Sequence, residues 1–256
     1  MDVGDEAVNA SAFCPMKSTV EPSQGRMRGL YAIVDVDALA RCGLGVAAFA
    51  EAVLDARPAA IQLRDKSSSA RRTLALLREL RPLATRANVP LFANDRPDLA
   101  VLARCDGVHV GQDDVPVALV RELARASGVS LQVGLSTHDE IHLARAFDGE
   151  DEGPEGVPDY VAVGPVFPTE NKDRADPAVG LAALRARCDW LARHRPGVPL
   201  VAIGGVSLEL AGAVGELCSA VAVIGALLPR GAGPAALVEV RDRARAMHAA
   251  ILGGTA

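Results

Sequence analysis

Between Leu30 and Pro229 the chain carries eight short apolar runs, each stopping abruptly at glycine, asparagine, serine or a charged side chain. The runs are Leu30–Val34, Ala59–Leu63, Val89–Ala93, Gly107–Val110, Ser130–Leu135, Tyr160–Val163, Pro199–Ile203 and Ala220–Ile224. They lack polar alternation and are rich in β-branched residues, the pattern of parallel strands buried on both faces. Between them leucine and alanine recur at helical spacing, as in Val117–Ala126 directly after Pro116 and in Leu208–Leu217. Strand and helix alternating in this way predict an α/β fold, a single (β/α)8 TIM barrel, with its chemistry where the strands end. Pro82 interrupts the helical run from Ser69 to Ala87, so a kink or an early stop is expected there.

Residues 28–256 are enough for one such barrel, which usually takes roughly 250 residues. Residues 1–27 have no periodicity and mix small, polar and acidic side chains with Pro15 and Pro22, and read as a flexible N-terminal extension. The acidic segment Asp148–Pro158 precedes the sixth strand, which places it on the barrel face opposite the site as solvated decoration. A formal charge of −5 and few aromatics argue against a nucleic-acid partner. A small anion is still accommodated by local lysines and backbone N–H groups. Cys14, Cys42, Cys105, Cys188 and Cys218 are odd in number and contain no CxxC pair, which points to reduced thiols and a cytoplasmic setting. No apolar run is long enough for a membrane span, and no signal-peptide pattern opens the chain.

The strand ends carry the candidate chemistry. After the second run comes Gln62-Leu63-Arg64-Asp65-Lys66; Gln62 and Arg64 share one strand face, and Lys66 follows just beyond. An amide, a guanidinium fork and an ammonium suit a polyphosphate, while an Arg–Asp surface pair is the bland alternative. Asn94-Asp95-Arg96-Pro97 and Gly111-Gln112-Asp113-Asp114-Val115-Pro116 each set a carboxylate just ahead of a proline. This reads either as helix entry or as two carboxylates converging on Mg²⁺ with substrate phosphate oxygens. His109 is expected to be a packed barrel residue, Ser136 a ligand donor or a helix cap, and His138 a surface helix residue. Nothing completes a nucleophile triad. The long segment Gly164–Lys172 offers Thr169, Asn171 and Lys172 to a bound phosphate, and Pro165–Asp176 is expected to order on ligand binding. Gly204-Gly205 and Ile224-Gly225 serve either as tight turns or as backbone approaches to a phosphate.

Six strings in this order, QLRDK at 62–66, NDRPDLA at 94–100, DGVHVGQDD at 106–114, GLSTH at 134–138, GPVFPTENK at 164–172 and VAIGGV at 201–206, resemble the thiamine-phosphate synthase family across roughly residues 30–228. The resemblance implies a Mg²⁺-dependent transferase that joins an aminopyrimidine diphosphate to a thiazole phosphate and releases pyrophosphate. It implies that Gln62, Leu63, Arg64, Asp65, Lys66, Asn94, Ser136 and Lys172 bind the pyrimidine diphosphate and that Asp95 and Asp114 hold Mg²⁺. Thr169, Asn171, Gly205, Ile224 and Gly225 would surround the thiazole phosphate, and Arg64, Lys66 and Lys172 would be the catalytic cations. Two positions depart from the family: threonine is usual at 171 and serine is frequent at 225, so both differences fall on the thiazole half. The expected partners are small phosphorylated heterocycles, with no membrane or nucleic acid, and the exposed barrel helices allow a homo-oligomer.

Overall fold

The computed structural model describes residues 27–148, 156–169, 177–231 and 233–253. Eight strands, β1 (Gly29–Asp35), β2 (Ala60–Arg64), β3 (Leu91–Asn94), β4 (Gly107–Val110), β5 (Gln132–Thr137), β6 (Tyr160–Val163), β7 (Leu200–Ile203) and β8 (Ala220–Val223), pair in chain order and close as a barrel. Every pairing is parallel, and β8 returns to β1 with Leu30 opposite Val221. The helices outside are α1 (Val36–Arg41), α2 (Val46–Leu54), α3 (Ala70–Ala87), α4 (Pro97–Ala103), α5 (Val117–Ala126), α6 (Glu140–Asp148), α7 (Gly180–His194), α8 (Leu208–Gly215) and α9 (Pro234–Ile251). No helix among the described residues is long and apolar enough to cross a membrane.

The apolar runs resolve into two faces that their composition conceals. Leu30, Ala32, Val34, Ile61, Leu63, Val133, Val161 and Val221 point outward and join the helices in the larger core. Tyr31, Ile33, Phe92, Tyr160, Val201 and Ala222 point inward and form a second cluster inside the barrel. This is the period of two expected of a strand, hidden because both faces are dry. Tyr31, Phe92 and Tyr160 fill the barrel centre with ring centroids 5.8–6.0 Å apart. Two glycines make that packing possible. A Cβ on Gly107 would lie 2.2 Å from the Phe92 ring, and one on Gly134 would lie 2.0 Å from Tyr160 Cζ.

Three local features depart from expectation. The helix over Ala70–Ala87 does not stop at Pro82. Pro82 lies on its exposed face, where water can satisfy the carbonyl the missing N–H would have bonded, while Leu76, Leu77, Leu80 and Ala84 anchor the other face. Strand β5 extends to Thr137, whose buried hydroxyl donates to the Ala162 carbonyl over 3.1 Å. A short helix, α1, follows β1 directly because Asp35 ends the strand and caps the helix, accepting from the Ala38 N–H at 2.8 Å. The proposed extension lies outside the described residues except for Met27, and 149–155 of the acidic loop lie outside them as well.

Candidate active site

The C-terminal ends of the strands surround a cavity of about 920 Å³. On the β2 side Gln62 is buried and Arg64, two residues on, shares its face. The β1–β2 register sets Asp35 opposite Arg64, and Arg64 Nη1 donates to Asp35 Oδ2 at 2.5 Å. Asp35 is only 5 % exposed, so the guanidinium is tethered by a carboxylate that solvent scarcely reaches. Sequence reading missed this residue. Gln62 Nε2 donates to Asn94 Oδ1 at 2.7 Å, which ties the ends of β2 and β3 together.

Asp95 follows with a left-handed backbone, φ 59°, and its N–H donates to the His109 carbonyl at 2.8 Å. That conformation, uncommon outside glycine, turns the chain from β3 toward α4. Lys66 Nζ donates to Asp95 Oδ2. Asp114 reaches the same place from the β4 end, where its Oδ2 accepts from the Gly111 N–H at 2.7 Å. Burial, helped by the neighbouring Asp95 carboxylate and opposed by the Gly111 N–H and Lys66, raises the Asp114 carboxyl above its usual range. Asp114, its ionisation resisted beside a second carboxylate, forms with Asp95 a pair suited to a hard cation. No cluster of three or more His, Cys, Asp or Glu side chains among the described residues could hold a metal. A divalent ion on this pair would therefore have to take its other oxygens from ligand or water, as Mg²⁺ commonly does with phosphates.

Two residues of the QLRDK string lie elsewhere. Leu63 faces the helices and is 1 % exposed, because strand periodicity turns it away from the cavity that Gln62 and Arg64 line. Asp65 folds back on the start of α3, accepting from the Ser68 N–H at 3.1 Å and the Thr73 hydroxyl at 2.8 Å, and serves as a local cap.

The opposite wall comes from the ends of β6, β7 and β8, where Thr169, Gly205, Ile224 and Gly225 line the cavity. The segment after β6 lies along the end of β7, with Val166 N–H on the Ile203 carbonyl and Phe167 N–H on that of Gly204. Gly205 has φ 68°, and a Cβ there would approach the Pro168 carbonyl oxygen to 2.5 Å, so this contact requires glycine. Gly225 opens a short 3-10 turn, Gly225–Leu227, whose first N–H groups are not used within the turn. Asn171 and Lys172 lie outside the described residues, as do 170–176 of the segment expected to order on ligand binding.

The site floor joins His109 and Ser136 of two motif strings to Tyr31 and Tyr160, which belong to none. His109 lines the cavity, stacks on Tyr160 with ring centroids 5.6 Å apart, and shares hydrogen bonds with Tyr160 Oη at 3.0 Å and Ser136 Oγ at 2.9 Å. It is packed, as expected, and it also bonds groups of the cavity wall. Burial, weakly opposed by Asp114, pushes its imidazolium down to about 4, so the ring is neutral at pH 7. Burial likewise raises the Tyr31 and Tyr160 phenols above their ordinary values, leaving both protonated. His138, expected on the surface, is half-buried on the cavity wall beside His142, because β5 runs two residues beyond the predicted end.

The family model for thiamine monophosphate synthase matches residues 30–227. A thiamine-phosphate synthase of Rhodospirillum centenum is 41% identical over 197 residues, covering 75% of this chain and 86% of the relative. One from Chloroflexus aurantiacus is 40% identical over 178 residues, covering 70% and 74% respectively. Among solved structures, a thiamine phosphate pyrophosphorylase from Pyrococcus furiosus superposes with a TM-score of 0.69 at 28% identity, covering 90% of this chain and 98% of that one. The matched region takes in all eight strands except the first residue of β1, together with every cavity wall described above, and the chain belongs to the thiamine monophosphate synthase family.

Proposed function

We propose that this enzyme joins 4-amino-2-methyl-5-(diphosphooxymethyl)pyrimidine to a thiazole phosphate, giving thiamine phosphate and pyrophosphate with Mg²⁺ as cofactor. The observation that carries the reading is the polarity of the cavity. Cations and a carboxylate pair meet on the β2–β4 side, and glycine-bearing strand ends form the β7–β8 side. Such an arrangement suits one diphosphate with its metal and one monophosphate held by backbone N–H groups.

In the reaction the bond between the pyrimidine methylene carbon and the bridging diphosphate oxygen breaks, the electron pair leaving with pyrophosphate. The electron-rich aminopyrimidine stabilises the resulting cation, and the thiazole nitrogen then forms the new C–N bond. Arg64, held by Asp35, is positioned to stabilise charge that develops on the departing oxygens. Lys66, bonded to Asp95, stands ready to do the same. Lys172, from the segment after β6, is assigned to the leaving group by family resemblance. Gln62, Asn94 and Ser136 orient the pyrimidine diphosphate, and Thr169, Asn171, Gly205, Ile224 and Gly225 receive the thiazole phosphate. Mg²⁺ held by Asp95 and Asp114 would supply electrostatic stabilisation of the leaving group. No side chain needs to act as a nucleophile. The cysteines among the described residues, Cys42, Cys105, Cys188 and Cys218, are all free thiols, which supports a cytoplasmic setting.

The test is product formation from the two phosphorylated heterocycles, with and without Mg²⁺, for wild type and Asp95→Ala. Metal-dependent thiamine phosphate and pyrophosphate, lost in D95A, is the expected result. Binding of both heterocycles without any turnover would overturn the assignment.

A further inference from the structure

A chain of hydrogen bonds crosses the barrel floor from one wall of the cavity to the other. Tyr31 Oη donates to Gln62 Oε1 at 2.7 Å, and Gln62 Nε2 donates to Asn94 Oδ1 at 2.7 Å. In the other direction Tyr31 Oη lies 3.0 Å from Tyr160 Oη, Tyr160 Oη lies 3.0 Å from His109 Nδ1, and His109 Nε2 lies 2.9 Å from Ser136 Oγ. The inner links are buried, and each phenol has a single proton to give.

That count fixes the direction of every link. The Tyr31 proton is committed to an amide oxygen, which can only accept, so Tyr31 Oη accepts from Tyr160. The Tyr160 proton is thereby used, and its oxygen accepts from His109 Nδ1–H. A neutral imidazole with a proton on Nδ1 has only a lone pair on Nε2, and Ser136 must donate to it. We propose that Tyr31 and Tyr160 are positioning residues that hold His109 as the Nδ1–H tautomer, so that Ser136 turns lone pairs toward the cavity while Asn94 presents both Nδ2 hydrogens. Building on the substrate reading above, Ser136 then meets a ligand N–H, such as the amino group of the pyrimidine, rather than a phosphate oxygen. Asn94, beside Arg64 and Lys66, supplies the complementary donors. The amide orientation of Gln62 sets the polarity of the whole chain, although three side chains stand between Gln62 and Ser136 along it.

The direct measurement is nitrogen NMR of His109 at neutral pH, assigned with His109→Gln, which reads the tautomer without any substrate. Wild type is expected to carry its proton on Nδ1; a proton on Nε2 overturns the proposal. Tyr31→Phe provides the second arm. Loss of that hydroxyl frees Tyr160 to donate to Nδ1, and His109 is expected to invert toward Nε2–H, although residue 31 is joined to it only through Tyr160 in the hydrogen-bond chain. A variant that merely loosened packing would not invert the ring, so an unchanged tautomer in folded Y31F refutes the relay. In kinetics Y31F should raise KM for the pyrimidine diphosphate about tenfold, the value of one hydrogen bond, with kcat within about twofold. An inverted tautomer with unchanged KM would refute the role given to Ser136. The NMR result stands whether or not the proposed turnover is found, so the two readings fail separately.

Discussion

Asp35 performs two tasks with two oxygens, and substitution can separate them. Its Oδ1 accepts from the Ala38 N–H at 2.8 Å and caps α1, and its Oδ2 accepts from Arg64 Nη1 at 2.5 Å. Asp35→Asn keeps an oxygen for the cap, since asparagine is as good an N-cap as aspartate, but removes the charge facing the guanidinium. Asp35→Ala removes both. Losing the cap costs about 1 kcal/mol. Breaking a fully buried ion pair from one side costs about 3–5 kcal/mol. Here the Arg64 side chain is 24% exposed, and water recovers part of that cost, so about 1–3 kcal/mol is the better figure. D35N should therefore lose about 1–3 kcal/mol and D35A about 1 kcal/mol more. Urea unfolding at pH 7 measures both, the midpoints shifting at constant m. Both variants should also raise KM for the diphosphate substrate, because Arg64 loses its tether in each. Equal stability of D35N and D35A would refute the division of labour, and wild-type stability in both would show that solvent already compensates the guanidinium.

Gly134→Ala places a Cβ 2.0 Å from Tyr160 Cζ and 2.3 Å from its hydroxyl, at a ring with no open side. Overpacking of this kind costs about 1–3 kcal/mol or more, and a chain of this size loses about 2–4 °C in Tm per kcal/mol, which differential scanning calorimetry reads; an unchanged Tm would contradict the packing described here. His248 of α9 accepts the Leu30 N–H on Nδ1 at 3.2 Å, and burial lowers its pKa below the ordinary 6.5. A lowered histidine pKa favours the neutral form in the folded state. Its contribution is therefore complete above the unfolded value and is lost as pH falls through 6.5 toward the folded value. Tm should drop as pH falls below the ordinary 6.5, and less steeply in His248→Asn, whose amide oxygen keeps the acceptor without titrating. Parallel pH profiles for the two proteins would refute the assignment.

The features legible in the sequence were those confined to one strand end. A polar residue or glycine at or just past the end of an apolar run marked Gln62, Arg64, Asn94, Asp95, the Asp113–Asp114 pair and the glycines after β7 and β8 as candidates, all of which line the cavity, while the choice of Asp114 over Asp113 came from the family resemblance. Within QLRDK, period two admits the Gln62 and Arg64 side chains to the cavity but sends that of Leu63 to the helices, and the Asp65 side chain is consumed by the turn into α3. Asp35, Tyr31 and Tyr160 were missed for a different reason. Their roles exist only between strands, through partners 29 and 129 residues away in the chain. Asp35 looked like the end of β1, and the two tyrosines looked like ordinary apolar filling. Once a closed parallel barrel is accepted, however, its register becomes a second source of inference. Asp35 stands opposite Arg64, and His109 opposite Gly134, the glycine that leaves room for Tyr160. The motifs thus name most of the groups that meet a ligand, while the register names the groups that aim them, and of these Asp35, Tyr31 and Tyr160 carry no signature except their place on the inward face.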